Sequence, residues 1–188
     1  MLTVGLIGAG RIGRVHASTI VQDEGSQLVA VADSVDENAK NLAETYGVNP
    51  TSVDAIFEDN SIEAVLIASS TDTHSDFIEK ASVTGKAILC EKPVDLSLAR
   101  AKRCLENTKS NEHSIMMGFN RRFDPNFVAL KNALDGGEIG TAELLSITSF
   151  DPAPPPIDYV KVSGGIFKDM MIHDFDMVNF LYGELPKS

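Results

Sequence analysis

Apolar and polar positions follow two rhythms in the N-terminal part of the chain. Runs that are apolar almost throughout, Leu2–Ile7, 28–32, 64–68, Ala87–Cys90 and 114–117, read as strands. A strand with one wet face would alternate, so these are strands buried on both faces. Between them the apolar positions recur with helical period. Ala39, Leu42, Ala43 and Tyr46 fall at i, i+3, i+4 and i+7, and Gly47 follows as a stop. Phe77, Ile78 and Ala81 mark a second helix face closed by Gly85, and Leu98, Ala101 and Leu105 mark a third. Strand and helix in alternation predict right-handed βαβ units: an α/β fold with a parallel, doubly wound sheet.

The rhythm changes near residue 120. Asp124-Pro125 reads as an N-cap with proline at the first helical position, opening a helix that runs to about Leu134 and ends at Asp135-Gly136-Gly137. Residues 143–150 read as one longer strand, 152–156 as an extended proline-rich loop, and 170–181 as a last helix. The strand at 143–150 has no partner after it, and the sequence stops soon after a second domain has begun. The expectation is a Rossmann-type domain over 1–120 and the incomplete start of a second, C-terminal domain over 121–188, in a C-terminally truncated chain.

Charge and composition narrow the partners. Of 188 residues, 16 are Lys or Arg and 27 are Asp or Glu, a formal net charge of −11. That balance argues against nucleic acid, whose phosphates attract clustered basic side chains, and against a basic membrane-surface anchor. No apolar run approaches the ~20 residues of a membrane-spanning helix, and no basic segment followed by an apolar one opens the chain. The two cysteines, Cys90 and Cys104, are too few for a disulfide framework or a four-thiolate zinc site. They read as buried thiols. The expectations are a cytoplasmic protein, no nucleic acid, no membrane and no metal.

Gly8-Ala9-Gly10-Arg11-Ile12-Gly13 follows the first strand and opens a helix over about 11–21. In that context Gly8 permits the tight turn, Gly10 lets the backbone approach a pyrophosphate, and Gly13 lets helix and sheet pack closely. The helix start at Arg11 and Ile12 turns free N–H groups and a positive dipole end toward the anion. Asp33 closes the second strand at the spacing of a ribose-binding acid. A carboxylate accepts from a ribose 2′-hydroxyl and repels a 2′-phosphate, and Ser34-Val35-Asp36-Glu37 brings no arginine to offset that repulsion. NAD is therefore the expected cofactor.

Glu91-Lys92-Pro93 follows the strand Ala87–Cys90, placing Lys92 at the ligand edge of an open α/β sheet. A solvated surface lysine is the other reading. Asp169 and His173 stand at i and i+4 in the last helical pattern, with Asp176 three residues further on. A hydroxyl oxidised by NAD loses a proton as well as a hydride. Histidine suits the proton, and a cationic lysine suits a developing alkoxide. A histidine satisfying a hydrogen bond in the core is the competing reading of His173.

The first strand with its GxGxxG, then Ser69-Ser70-Thr71-Asp72-Thr73-His74, Glu91-Lys92-Pro93, and Gly165…Asp169…His173-Asp174, in that order, resemble the Gfo/Idh/MocA oxidoreductase family. The stretch Met117-Gly118-Phe119-Asn120-Arg121-Arg122-Phe123-Asp124-Pro125 most resembles its inositol 2-dehydrogenase branch. The resemblance implies a C-terminal α+β domain with a mostly antiparallel open sheet, and a homo-tetramer for the full-length form. It implies Lys92, Asp169 and His173 as the catalytic set, with His173 the proton acceptor. It adds Ser69, Thr71, His74, Glu91 and Lys92 to the cofactor's surroundings, and Asn120, Arg121 and Asp151 near the substrate. The implied reaction is NAD-dependent oxidation of a cyclic polyol or sugar hydroxyl, myo-inositol foremost. The alternatives are another sugar dehydrogenase of the same family, an NAD-dependent glycosidase, or a catalytically inactive NAD-binding fragment.

Overall fold

The computed structural model describes residues 1–109 and 115–184. The chain divides into two compact units, Met1–Gly118 and Phe119–Ser188.

In the first unit the elements alternate: β1 (Leu2–Ile7), α1 (Arg11–Gln22), β2 (Ser26–Ala32), α2 (Asp36–Tyr46), β3 (Asn49–Pro50), α3 (Val53–Glu58), β4 (Ala64–Ile67), α4 (Thr71–Val83), β5 (Ala87–Cys90), α5 (Leu98–Thr108) and β6 (Ile115–Met117). The strands form one six-stranded sheet in the order β3-β2-β1-β4-β5-β6, parallel at every pairing. The order reverses between β1 and β4, which opens a crevice beyond their carboxyl ends.

Strand alternation explains the two layers of helix. In β4, Val65 and Ile67 join Ile56 and Phe57 of α3, Ile78 and Ala81 of α4 and Cys104 of α5. Ala64 and Leu66 join Ala17 and Ile20 of α1 and Ala39, Leu42 and Ala43 of α2 on the other face. Ile67 is wholly buried, and a side chain of that kind contributes roughly 1.5–3 kcal/mol relative to exposure. These residues form a doubly wound core, and the fully apolar strand runs are its direct cause.

Several boundaries differ from the pattern. β2 starts earlier, at Ser26, β4 ends at Ile67, and Ser114 lies outside the described residues. The two-residue β3 was not anticipated, being too short to carry a period. Nor was α3, which starts where Ser52 Oγ accepts from the Ala55 N–H at 3.1 Å. In α5 the apolar face was misjudged. Leu98 and Leu105 are 71% and 68% exposed, while Cys104 and Thr108 are buried.

The second unit opens with a 3-10 turn at Asn120–Phe123, followed by α6 (Pro125–Asp135), α7 (Ile157–Val162), α8 (Ile166–Asp169) and α9 (Ile172–Tyr182). Asp124 caps α6 as its residue type predicts, Oδ1 accepting from the Asn126 N–H at 2.8 Å. Residues 143–150 do not form the expected strand. A strand is defined by the ladder it shares, and among the described residues no second segment supplies one. The helix expected over 170–181 is present as α9, two residues shorter at its start, but Asp169 lies outside it, at the end of the separate short helix α8, with Met170 and Met171 between them. Asp169 and His173 therefore lie on consecutive helices rather than at i, i+4 of one.

Candidate functional site

The dinucleotide crevice is built by backbone approach. Gly8 has φ +104°, and a Cβ there would stand 2.4 Å from the Ala68 carbonyl oxygen at the end of β4. A Cβ on Gly13 would stand 1.9 Å from the Gly8 carbonyl oxygen. Both positions need glycine for α1 to dock on the turn. Gly10 differs, because nothing lies within 4 Å of a Cβ built on it. It is exposed, Arg11 is exposed and Ile12 is half-buried. No side chain caps α1 at Gly10, so the first amides of the helix are available to a phosphate oxygen. These features fit a dinucleotide pyrophosphate.

Asp33 stands beside that turn. Its Oδ2 accepts from the Ala9 N–H at 2.7 Å, and its Oδ1 accepts from the Val35 N–H at 2.8 Å. The acid thus holds the glycine turn and its own loop while remaining half-buried at the crevice rim.

The β4–α4 junction carries the next group. Ser69 Oγ and Thr73 Oγ1 share a hydrogen bond at 2.7 Å, and Thr71 begins α4. His74 is 1% exposed. Its Nδ1 lies 2.8 Å from the Pro93 carbonyl oxygen and its Nε2 3.1 Å from that of Ser69. Its ring is occupied in joining two loops, which gives it a bracing role that sequence spacing did not distinguish from ligand contact.

Glu91 and Lys92 follow β5, and the Lys92–Pro93 peptide bond is cis. Glu91 is paired with His16 of α1, Oε1 to Nε2 at 2.7 Å. Burial pushes the Glu91 carboxyl up, but the His16 bond and charge and the Lys92 N–H together hold it below the usual glutamate range. The thiols behave as expected from their positions. Cys90 and Cys104 are both unlinked and buried, and burial pushes the Cys90 thiol far above its ordinary value.

The second unit brings its charged residues into two pairs. Arg121 Nη1 bonds to Asp174 Oδ1, which also accepts from Ser149 Oγ at 2.7 Å. Arg122 grips Asp176 with two donors, Nε to Oδ2 at 2.7 Å and Nη2 to Oδ1 at 2.6 Å. Asp176 is 6% exposed, and its carboxylate holds the Arg122 guanidinium further into its charged form. The guanidinium also sits over the Phe119 and Phe180 rings, at 5.9 and 5.8 Å. His173 starts α9 edge-on to Phe119, ring centroids 6.3 Å apart. Asp169, at the end of α8, accepts from the Tyr159 hydroxyl at 2.8 Å. Asn120 and Asp151 are exposed.

Sequence reasoning missed His16 and Tyr159. His16 left one signal, as the polar member of an otherwise small or apolar stripe, Gly13, Ala17 and Ile20, facing the sheet. Tyr159 left none. Among the described residues no group of three or more His, Cys, Asp or Glu could hold a metal, and no helix is long and apolar enough to cross a membrane.

Comparison with known proteins agrees with this geometry. Residues 2–119 match the model of the GFO_IDH_MocA oxidoreductase family, NAD-binding Rossmann fold. Residues 127–188 match the GFO/IDH/MocA C-terminal domain. The chain is 51% identical over 184 residues to an inositol 2-dehydrogenase of Rhizobium meliloti (strain 1021), covering 98% of this chain and 56% of that protein. The crystal structure of a myo-inositol dehydrogenase from Corynebacterium glutamicum superposes with a TM-score of 0.93 at 44% identity, over 98% of this chain and 56% of that one. A scyllo-inositol dehydrogenase from Lactobacillus casei, with NAD(H) and scyllo-inositol bound, gives 0.84 at 29% identity, over 97% and 56%. The chain thus spans little more than half the length of these relatives.

Proposed function

The chain belongs to the Gfo/Idh/MocA oxidoreductase family, with NAD the cofactor of its Rossmann domain, and from that premise we propose that the protein oxidises a ring hydroxyl of a cyclic polyol, myo-inositol first among them. The observation that carries the proposal is the 51% identity to an inositol 2-dehydrogenase along 98% of this chain. An NAD-suited acid, Asp33, at the glycine turn agrees with it.

In this reading bound NAD would supply the hydride acceptor. The Arg11 and Ile12 amides would hold its pyrophosphate and Asp33 would accept from its ribose hydroxyls, with Ser69, Thr71 and Glu91 lining the remainder. His173 accepts the proton of the substrate hydroxyl. Lys92, cationic, donates to that oxygen and stabilises the negative charge that develops on it. Asp169, with Tyr159 as its donor, completes the catalytic set. Asn120, Arg121 and Asp151 contribute to polyol recognition.

We further propose that the residues after about 120 open a mostly antiparallel domain through which four copies assemble, and that the protein works in the cytoplasm, where two unlinked thiols stay reduced. Light scattering of the active protein tests the assembly. The activity is tested by following NADH absorbance with myo-inositol, scyllo-inositol and glucose. NADH accumulating fastest with an inositol supports the assignment. Accumulation with glucose alone overturns the substrate, and none with any polyol overturns the reaction.

A further inference from the structure

The carboxylate just before Lys92 is fixed on three sides. His16 Nε2 lies 2.7 Å from Glu91 Oε1, and the Lys92 backbone N–H bonds to the same carboxylate. A Cβ on Gly118 would stand 3.0 Å from the Glu91 carboxyl carbon and 3.1 Å from each oxygen. The slot at Gly118 therefore exists because that residue has no side chain. It is tied to the sheet where the Gly118 N–H donates to the Cys90 carbonyl at 2.7 Å. An ionised carboxylate only accepts, so the hydrogen between the pair sits on His16 Nε2. Side-chain exposures of 23% for His16 and 20% for Glu91 leave the contact mostly out of water, where a charge-assisted hydrogen bond is stronger than at the surface.

The far end of the same turn is gripped from α4. The His74 ring reaches the Pro93 carbonyl, and Ser75 Oγ donates to the Val94 carbonyl at 3.1 Å and to Asp95 Oδ2 at 2.9 Å. These contacts hold residues 93–95. At the Glu91–Lys92 end the Glu91 N–H donates to the Ile67 carbonyl at the end of β4 at 2.8 Å, which leaves the carboxylate itself to be held from α1, and α1 is the helix whose first turn is assigned to the dinucleotide.

We infer that His16, acting through Glu91, is the positioning residue for Lys92: the pair fastens the turn carrying that lysine to the helix that receives the cofactor. The inference rests on the role given to Lys92 under the proposed function. Catalytic groups lose rate steeply when displaced by small distances, so a half-buried pair one residue away has leverage without touching substrate.

The test compares His16→Leu with His16→Gln, whose side-chain amide can still donate to Glu91, by two readouts. The first is amide hydrogen exchange in this chain, followed by NMR. The Lys92 N–H should exchange about tenfold faster or more in His16→Leu and within about threefold of the unsubstituted rate in His16→Gln, with Leu66 and Ile67 unchanged in both. The second is turnover of an inositol by the active enzyme. There kcat should fall about tenfold or more in His16→Leu and largely recover in His16→Gln, while the NAD dissociation constant stays within about threefold. Unchanged Lys92 exchange in His16→Leu, or a glutamine variant as impaired as the leucine one, overturns the inference. So does a loss confined to NAD affinity. If the unsubstituted enzyme oxidises no polyol, the proposed reaction is wrong and the exchange measurement alone decides the positioning role. If His16→Leu does not fold, His16→Asn, too short to reach Glu91, replaces it with the same expected outcomes.

Discussion

Asp33 Oδ2 accepts the Ala9 N–H at 2.7 Å, so the acid proposed for the ribose also holds the glycine turn proposed for the pyrophosphate. Under that proposal two requirements of the cofactor, its sugar and its phosphates, depend on one carboxylate. Its other oxygen accepts from the Val35 N–H, which keeps the group from rotating away.

Asp33→Ala should accordingly do two things together. It removes a ribose acceptor and unfastens Ala9, so NAD affinity should fall by roughly tenfold or more, the scale of a lost charged hydrogen bond. It also removes the charge that repels a 2′-phosphate, so the preference for NAD over NADP should narrow. Calorimetric titration with both cofactors checks this. Equal affinity of the unsubstituted chain for the two would contradict the role of Asp33.

The glycines of the turn should separate binding from folding. Gly10 has open space around the position of a Cβ and a φ of −69°. Gly10→Ala should leave thermal stability nearly unchanged and abolish NAD binding, because the methyl occupies the approach path of the pyrophosphate. A Cβ on Gly13 would meet backbone at 1.9 Å, so Gly13→Ala must shift α1 and should cost several kcal/mol, beyond the ~1–3 kcal/mol of ordinary overpacking. Melting curves with and without NAD distinguish the two.

Glu91 gives the first unit a predictable acid limb. Burial raises its carboxyl, and the His16 bond and charge together with the Lys92 N–H and charge outweigh this, so the folded value lies below the usual 4.5. The unfolded chain therefore binds this proton at a higher pH than the folded one. The stabilisation is complete above about 4.5 and is lost as the pH falls through the lower, folded value. In Glu91→Gln the urea midpoint should be lower near neutrality and should fall less on acidification. Parallel curves for the two proteins would show that the pair adds nothing to stability.

What the sequence made legible was whatever burial wrote into it twice. The longer strands of the first unit were legible for the reason β4, Ala64–Ile67, shows: it is buried at all four positions, leaving no polar residue to confuse the run. The α5 helix read correctly as a helix and wrongly as a face. Leu98, Ala101 and Leu105 satisfy the spacing, but so do Ala101, Cys104 and Thr108, and the second set is smaller. It allows the close approach in which Cys104 Sγ reaches the Ser75 carbonyl at 3.6 Å. Spacing also misled at Asp169 and His173, because nothing in Met170-Met171 announces a helix break. The place of His16 in the apolar stripe of α1 was its one signal, and its partner was illegible because Glu91 is 75 residues away along the chain.

The α5 reversal has a measurable consequence. Leu105→Gln should change stability by no more than about 0.5 kcal/mol, as an exposed substitution does. Ile67→Ala, in the wholly buried centre of β4, should cost about 2–5 kcal/mol. Urea denaturation checks both. A Leu105→Gln cost approaching that of Ile67→Ala would restore the face read from the spacing.

His173 offers the sharpest test of the proposed chemistry. It begins α9, set against Phe119, while the neighbouring acids Asp174 and Asp176 are held by Arg121 and Arg122. Histidine is the residue type in the α9 first turn suited to accepting a proton in the proposed reaction. General base catalysis is typically worth ~10²–10⁴-fold, so His173→Ala in the active enzyme should lower kcat by that order. NAD affinity should hold, since the dinucleotide residues Gly8, Gly10, Gly13 and Asp33 all lie in the first unit. Lys92→Ala should also lower kcat. Its loss should persist at high pH, because the missing cation is not replaced by hydroxide. The His173→Ala loss should shrink as hydroxide takes over the base role. Steady-state NADH formation across a pH series separates the two variants. Identical pH profiles would show that His173 and Lys92 do not divide the work as base and electrostatic partner.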